Sequence, residues 1–431
     1  MHTSFIVLLT AVVLVSPALL QSAEAQGLTD QEQTRGELTL DQAITNALKF
    51  SPSLAAGAHA VSAAEARVTQ ASKFLNPELE MEVENFGGRD ELNGFDGADS
   101  TVAIAQPFLL GGDRARRRDV ADAEVLLAAS DLDLQRRGVL YRTHTAFFEL
   151  LAAQQEFVLA EELLELAEDF ARTVKARVDA GKVSPVESTR ARIETAHAEV
   201  ALSNALHNVN RSRVHLAAAW GSSNPNFERA VGHIPAPEDL PPYPDLERLL
   251  RNAPEAEIMR RNLTLHERSL RLEKALAIPD LRVHLGTRHF RESGQSAWVA
   301  GLSIPLPVFD RNQGARRAAE FELDAARRTT QAANAEQHAR LRSLVERLLA
   351  AKKAVRSMTQ VVEPTATEAF AAVTIGYREG KFAFIDLLQA QQALFEARTL
   401  ALGSRLDYAL ALCDLEHLVG PLSQTLVKEQ S

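Results

Sequence analysis

Residues 78–84 read Glu78-Leu79-Glu80-Met81-Glu82-Val83-Glu84, a strict polar/apolar alternation over seven positions in a chain whose other periodicities are helical. Period-2 patterning is the signature of a strand with two unlike faces. Glutamate is a poor strand former, so something must separate the faces. A transmembrane β-barrel does so, with apolar side chains toward lipid and polar ones toward the lumen. Three further short segments share the extended character: Thr101 to Phe108, Leu281 to Leu285, and Ala297 to Leu302, where Trp298 suits an interfacial aromatic belt. Four strands cannot close a barrel. An open sheet edge is not tolerated in hydrocarbon, because each unpaired backbone group costs several kcal/mol. Copies of the chain must therefore pool their strands. Two copies give eight strands and three give twelve, and only twelve leaves a water-filled bore, so the arithmetic favours a homotrimer.

The rest of the sequence is duplicated. Pro52 and Pro77 correspond to Pro254 and Pro279 at an offset of 202, Gly181-Lys182 and Gly221 to Gly380-Lys381 and Gly420 at 199, and Pro107 to Pro305 at 198. The slippage falls on Gly87 to Gly94, a loop composition in the first half. The predicted plan is repeat 1 over 38–229 and repeat 2 over 245–421, joined by a stiff proline-rich linker over 230–244. Each repeat should carry a short helix (about Thr39 to Phe50; Asp245 to Asn252), a second helix ending just before Pro77 or Pro279, and a β-hairpin (78–108; 280–306). An uninterrupted long helix follows (114–179; 315–378), then a glycine turn and a return helix (185–220; 383–419). At 1.5 Å per residue the long helices reach about 95 to 100 Å. Leu341, Leu344, Leu348, Ala351, Val355, Met358 and Val362 keep a 3,4 spacing, and Leu159, Leu163, Leu166 and Phe170 a 4,3,4 spacing; such seams require partner helices. Pro364 should kink the second long helix.

Composition narrows the function. The 47 basic and 57 acidic residues give a net charge of -10, which argues against a nucleic-acid partner. Cys413 stands alone, which excludes an intrachain disulfide and a cysteine metal cluster. The apolar run Phe5 to Leu20, followed by Ala23-Glu24-Ala25, reads as a signal peptide over 1–25, although its first residues offer His2 rather than Lys or Arg. A polar segment (26–37) and a C-terminal tail (422–431) flank the repeats. Catalytic signatures such as GxSxG, HExxH, Walker A and GxGxxG do not occur, and His284 and His289 are five apart on a strand, on opposite faces, a poor metal pair. The chain is thus read as a non-enzyme with no cofactor and no metal centre.

Helix content alone is equally compatible with a soluble periplasmic coiled coil. Other residues carry a resemblance. Gly380-Lys381-Phe382 through Asp386-Leu387-Leu388-Gln389-Ala390-Gln391, preceded by Tyr377, resembles the signature of the TolC-type outer-membrane efflux proteins. Asn76-Pro77-Glu78-Leu79, Gln106-Pro107 through Gly111-Gly112, and Pro305-Leu306-Pro307-Val308-Phe309 are similar to the cobalt-zinc-cadmium branch. The resemblance implies a mainly α chain with a small β part: a trimer with a twelve-stranded barrel in the outer-membrane lipid and a long α-helical barrel in the periplasm. It also implies docking to a periplasmic adaptor and an inner-membrane resistance-nodulation-division pump, as a passive exit duct for divalent heavy-metal cations or, alternatively, for drugs or secreted protein. Many relatives carry an acylated Cys after the signal sequence, which this chain lacks. The tip turns Gly181, Lys182, Gly380 and Lys381 would meet the adaptor. Asp386, Tyr377 and Glu187 would close the entrance, with Glu187 standing where the second half has Asp386. Glu78, Glu80, Glu82 and Glu84 would line the barrel lumen, partly neutralised by Arg282, His284 and Arg288.

Overall fold

A computed structural model describes residues 36–89, 94–95 and 97–422. The expected signal peptide, most of the polar segment 26–37 and nearly all of the tail 422–431 lie outside the described residues. The first half runs α1 (Leu40–Phe50), α2 (Pro52–Ala71), β2 (Glu78–Glu84), β3 (Asp99–Phe108), α3 (Asp113–Asp179) and α4 (Pro185–Ala218). The second half repeats that order: α5 (Tyr243–Arg251), α6 (Pro254–Ala275), β5 (Leu281–Phe290), β6 (Gln295–Ser303), α7 (Gln313–Ser357), α8 (Glu363–Arg378) and α9 (Phe384–Val419). Two short strands, β1 (Gly36–Leu38) and β4 (Phe227–Ala230), pair in parallel outside this plan.

Several boundaries correct the sequence reading. The second helices stop at Ala71 and Ala275, well short of Pro77 and Pro279. The proline linker loses both ends, Ala230 to β4 and Tyr243-Pro244 to the first turn of α5, where a proline needs no hydrogen-bond partner for its nitrogen. The second long helix is not uninterrupted. A π-helical turn (Met358–Val362) separates α7 from α8 just ahead of Pro364. Proline cannot donate to the carbonyl of Gln360 and its ring crowds that carbonyl, and the wider turn absorbs both. α3, by contrast, runs unbroken for 67 residues, about 100 Å.

β2, β3, β5 and β6 form one antiparallel sheet in that order. Its register puts Glu78, Ala105, His284 and Gly301 in one row, so Glu78, Glu80, Glu82 and Glu84 share a face with Arg282 and Arg288. Leu79, Met81, Ile104, Leu285, Trp298 and Leu302 share the other, where Trp298 is 82% exposed. The polar face is laced across β3. Arg282 pairs with Glu78 and with Glu80 (2.8 Å), and Arg288 with Glu84 (2.5 Å). Arg282 reaches over Ala103 and Ala105, both buried, where β3 carries only methyl groups, whereas Arg288 lies opposite Thr101 and donates its Nε to the Thr101 hydroxyl (2.9 Å). No described residue forms an ion pair with Glu82.

Three apolar clusters hold the helices together. The first gathers Leu38, Ala47, Phe147, Leu150, Trp220 and Phe227 where β1, α1 and β4 pack on the middle of α3 and the C-terminal end of α4. The second is the predicted seam: Leu341, Leu344, Leu348 and Val355 pack on Leu246 and Leu250 of α5 and Leu415 of α9. The linker is fastened there too, with Lys352 bound to Asp239 (2.5 Å) and the Tyr408 hydroxyl accepting from the Glu238 N–H (3.0 Å). The third cluster lies at the far end of the helices, among the two glycine turns.

Candidate functional site

That third cluster joins both halves. Phe170 and Val174 of α3, Ala191 of α4, Tyr377 of α8, and Phe384, Leu387 and Leu388 of α9 pack together. The two turns above them close identically. Gly181 N–H donates to Val178 O (2.8 Å) and Lys182 N–H to Arg177 O (2.9 Å); Gly380 N–H donates to Tyr377 O (3.1 Å) and Lys381 N–H to Gly376 O (2.8 Å). This paired pattern requires a left-handed residue at the turn, and Gly181 and Gly380 have φ of 68° and 79°. Both lysines are exposed, and Lys381 pairs with Glu379 (2.5 Å).

The turns differ in their side chains. Arg177, which corresponds to Gly376 at the 199 offset, reaches from the first half into the second. Its guanidinium stacks 4.7 Å from the centre of the Tyr377 ring, and its Nη1 donates to the Tyr377 carbonyl (3.4 Å). Gly376 in turn makes room for the ring of Phe382, which a Cβ would meet at 2.2 Å. Tyr377 is only 4% exposed. Burial pushes its pKa up; Arg177 opposes the shift and Glu187 adds to it. The Tyr377 hydroxyl and Glu187 Oε2 are both buried without a hydrogen-bond partner.

Of the three residues expected at the entrance, the structure therefore brings Tyr377 and Glu187 together. Asp386 caps its own helix: its Oδ2 accepts the Ala383 N–H (2.9 Å) at the start of α9, where the helix dipole favours a carboxylate. Arg177 was not singled out from the sequence. The signal was available in the duplication, since at this position one half has a long cation and the other a glycine. Among the described residues no group of three His, Cys, Asp or Glu could hold a metal ion.

A second titratable cluster lies midway along the helices. Tyr141 donates to Asp414 Oδ1 (2.7 Å), Arg347 pairs with Asp414 Oδ2 (2.6 Å), and the His417 ring lies 4.8 Å from Tyr141. Burial pushes the Cys413 thiol up to about 12, aided by Glu416 and Asp414, so it is an inert apolar side chain.

Comparison with known proteins agrees with this geometry. The profile of the outer membrane efflux protein family matches residues 43–222 and again 246–421, once in each repeat. The cobalt-zinc-cadmium resistance protein CzcC of Cupriavidus metallidurans is 33% identical over 407 residues, covering 94% of this chain and 96% of the relative. The nickel and cobalt resistance protein CnrC of the same organism is 27% identical over 312 residues, covering 72% and 73%. Among solved structures, the Campylobacter jejuni CmeC outer membrane channel superimposes with a TM-score of 0.75 at 16% identity, over 91% of this chain and 89% of that one.

Proposed function

The chain belongs to the outer membrane efflux protein family, and from that premise we propose that it is the exit duct of a tripartite system exporting divalent heavy-metal cations. The observation that carries the cargo is the 33% identity with a cobalt-zinc-cadmium resistance protein over nearly the full length of both chains. The channel is outer-membrane, with its helices in the periplasm. Three copies pool their sheets into a twelve-stranded barrel, since β2 and β6 each leave an edge that lipid cannot satisfy. The Gly181-Lys182 and Gly380-Lys381 turns meet a periplasmic adaptor, which couples the duct to a resistance-nodulation-division pump in the inner membrane. Tyr377, Glu187 and Asp386 stand at the closed entrance, with Arg177 tying the halves.

The polar face of the sheet lines the bore. Arg282, shared by Glu78 and Glu80, and Arg288 on Glu84 offset two of the four carboxylate charges, so the face keeps a net negative charge that attracts cations, with Glu82 outside these ion pairs. Deleting the gene from its host should sharply lower tolerance of cobalt, zinc and cadmium salts and leave antibiotic tolerance unchanged. Sensitivity to antibiotics with unchanged metal tolerance would overturn the cargo and assign a multidrug duct.

A further inference from the structure

The two open edges of the sheet carry unlike apolar features at its helical end. Below β2, between the segment that leads into it and the end of β3, lies a recess of about 570 Å³ with Phe74, Leu75, Phe108, Leu109 and Leu110 in its wall and the Arg114 guanidinium stacked on the Phe74 ring. Beyond the opposite edge, the segment after β6 holds out Leu306 at 80%, Val308 at 58% and Phe309 at 91% exposure. β2 begins and β6 ends at this same end, so pairing β6 of one copy with β2 of the next is antiparallel and brings the two features to one level. Within one chain the width of the sheet keeps them apart.

The duplication supplies a template for what happens between copies. Inside the chain, β3 meets β5, and the loop after β3 presses on the end of α6: a Cβ on Gly111 would stand 2.4 Å from the Ala275 carbonyl oxygen. At the offset of 198 the counterpart of Gly111 is Phe309; at the offset of 202 the counterpart of Ala275 is Lys73, next to Phe74. Repeating the internal joint from copy to copy thus sets Phe309 of one chain against the Lys73–Leu75 segment of its neighbour. The joint inside the chain is backbone on backbone and needs glycine. The corresponding positions at the two outer edges instead offer a cavity on one side and an exposed aromatic ring on the other. Such a head-to-tail contact, unlike on its two sides, closes into a ring when the rotation permits.

We propose that the occupant of the Phe74/Leu75/Leu109/Leu110 recess is Phe309 of a second copy of this chain, a knob-in-socket joint that fixes the register between neighbouring subunits where the barrel meets the helices. The inference rests on the trimeric reading above and adds the residues that form the contact. Lipid is the competing occupant, and in that case Phe309 would point away from the neighbouring copy.

In a Cys413→Ala background, Phe309→Cys and Leu110→Cys are placed singly and together, and isolated outer membranes are treated with a short bifunctional thiol crosslinker. Covalent dimers and trimers on denaturing gels are expected only from the double variant. Phe309→Ala should lower the temperature at which detergent-resistant trimers dissociate, while Phe309→Leu should retain most of it. Trimers that persist on native gels but never crosslink, with an unchanged dissociation temperature for Phe309→Ala, would overturn the joint and leave the trimer standing. A monomer in every assay would overturn both.

Discussion

Removing the Arg177 side chain tests whether the tip is held shut from within each subunit. The guanidinium makes two contacts across the halves, the stack on Tyr377 at 4.7 Å and the hydrogen bond to its carbonyl at 3.4 Å. A cation over an aromatic face contributes ~0.5–2 kcal/mol, the upper end where water is excluded. A long hydrogen bond from a charged donor adds ~1 kcal/mol. With Tyr377 almost fully buried, about 2 kcal/mol per subunit is a fair total, which corresponds to a shift of roughly thirtyfold in a closed-to-open equilibrium. Single-channel recording from purified trimers in planar bilayers reads that shift directly. Arg177→Ala should raise open probability by about an order of magnitude or more. Arg177→Lys should fall between, because an ammonium keeps the charge but loses the planar stack. Tyr377→Phe keeps both the ring and the backbone acceptor, so any opening it causes measures the hydroxyl alone. If Arg177→Ala trimers remain intact and open no more often than wild type, the tie does not hold the gate.

Two further predictions concern the sheet and the mid-helix cluster. A Cβ on Gly286 would stand 2.3 Å from the Val102 carbonyl and 2.5 Å from the Ala103 Cβ; Gly286→Val should therefore cost ~1–3 kcal/mol or more in overpacking and deplete heat-resistant trimers from outer-membrane fractions. His417 is half-buried, and the desolvation pushes its pKa down against the opposing pull of Glu255 and Asp414 and with the help of Arg340 and Arg137. The unfolded chain then takes up this proton before the folded one, so stability rises with pH through a window that starts below the ordinary histidine value and ends near it; His417→Gln should flatten the dependence of melting temperature on pH within that window, followed by circular dichroism in detergent.

The parts of this molecule that were legible in its sequence are those with a period. The alternation at 78–84 is the β2 strand as it stands, and the proline and glycine offsets mark the two repeats that the family profile matches separately. The 3,4 seam is buried from Leu341 to Val355, while its last two members, Met358 and Val362, fall in the π-helical turn and are half-buried. What was missed has no period. β1 is three residues long and pairs with β4 some 190 residues away, a non-local contact that no window around Gly36 can carry. The helix ends before Pro77 and Pro279 were overextended because proline excludes helix without requiring that helix continue up to it. Asp386 and Arg177 show a similar division. A signature residue was recognisable as a type and position, whereas the contact it makes depends on which neighbour the turn geometry brings to it.

Duplication also explains why the informative positions are those where the halves disagree. A ring of six similar half-subunits has two kinds of joint, one inside each chain and one between chains, and identical halves would make them alike. Arg177 and Gly376 occupy corresponding sites, so the guanidinium tie to Tyr377 exists inside a chain and its reverse does not. Gly111 and Phe309 occupy corresponding sites, so one joint is tight and its counterpart presents an aromatic knob. A channel that opens by parting whole subunits at the tip would leave every Arg177–Tyr377 contact intact. One that opens by swinging α8 and α9 away from α3 must break all of them, and only in that second case does the arginine set the energy of opening.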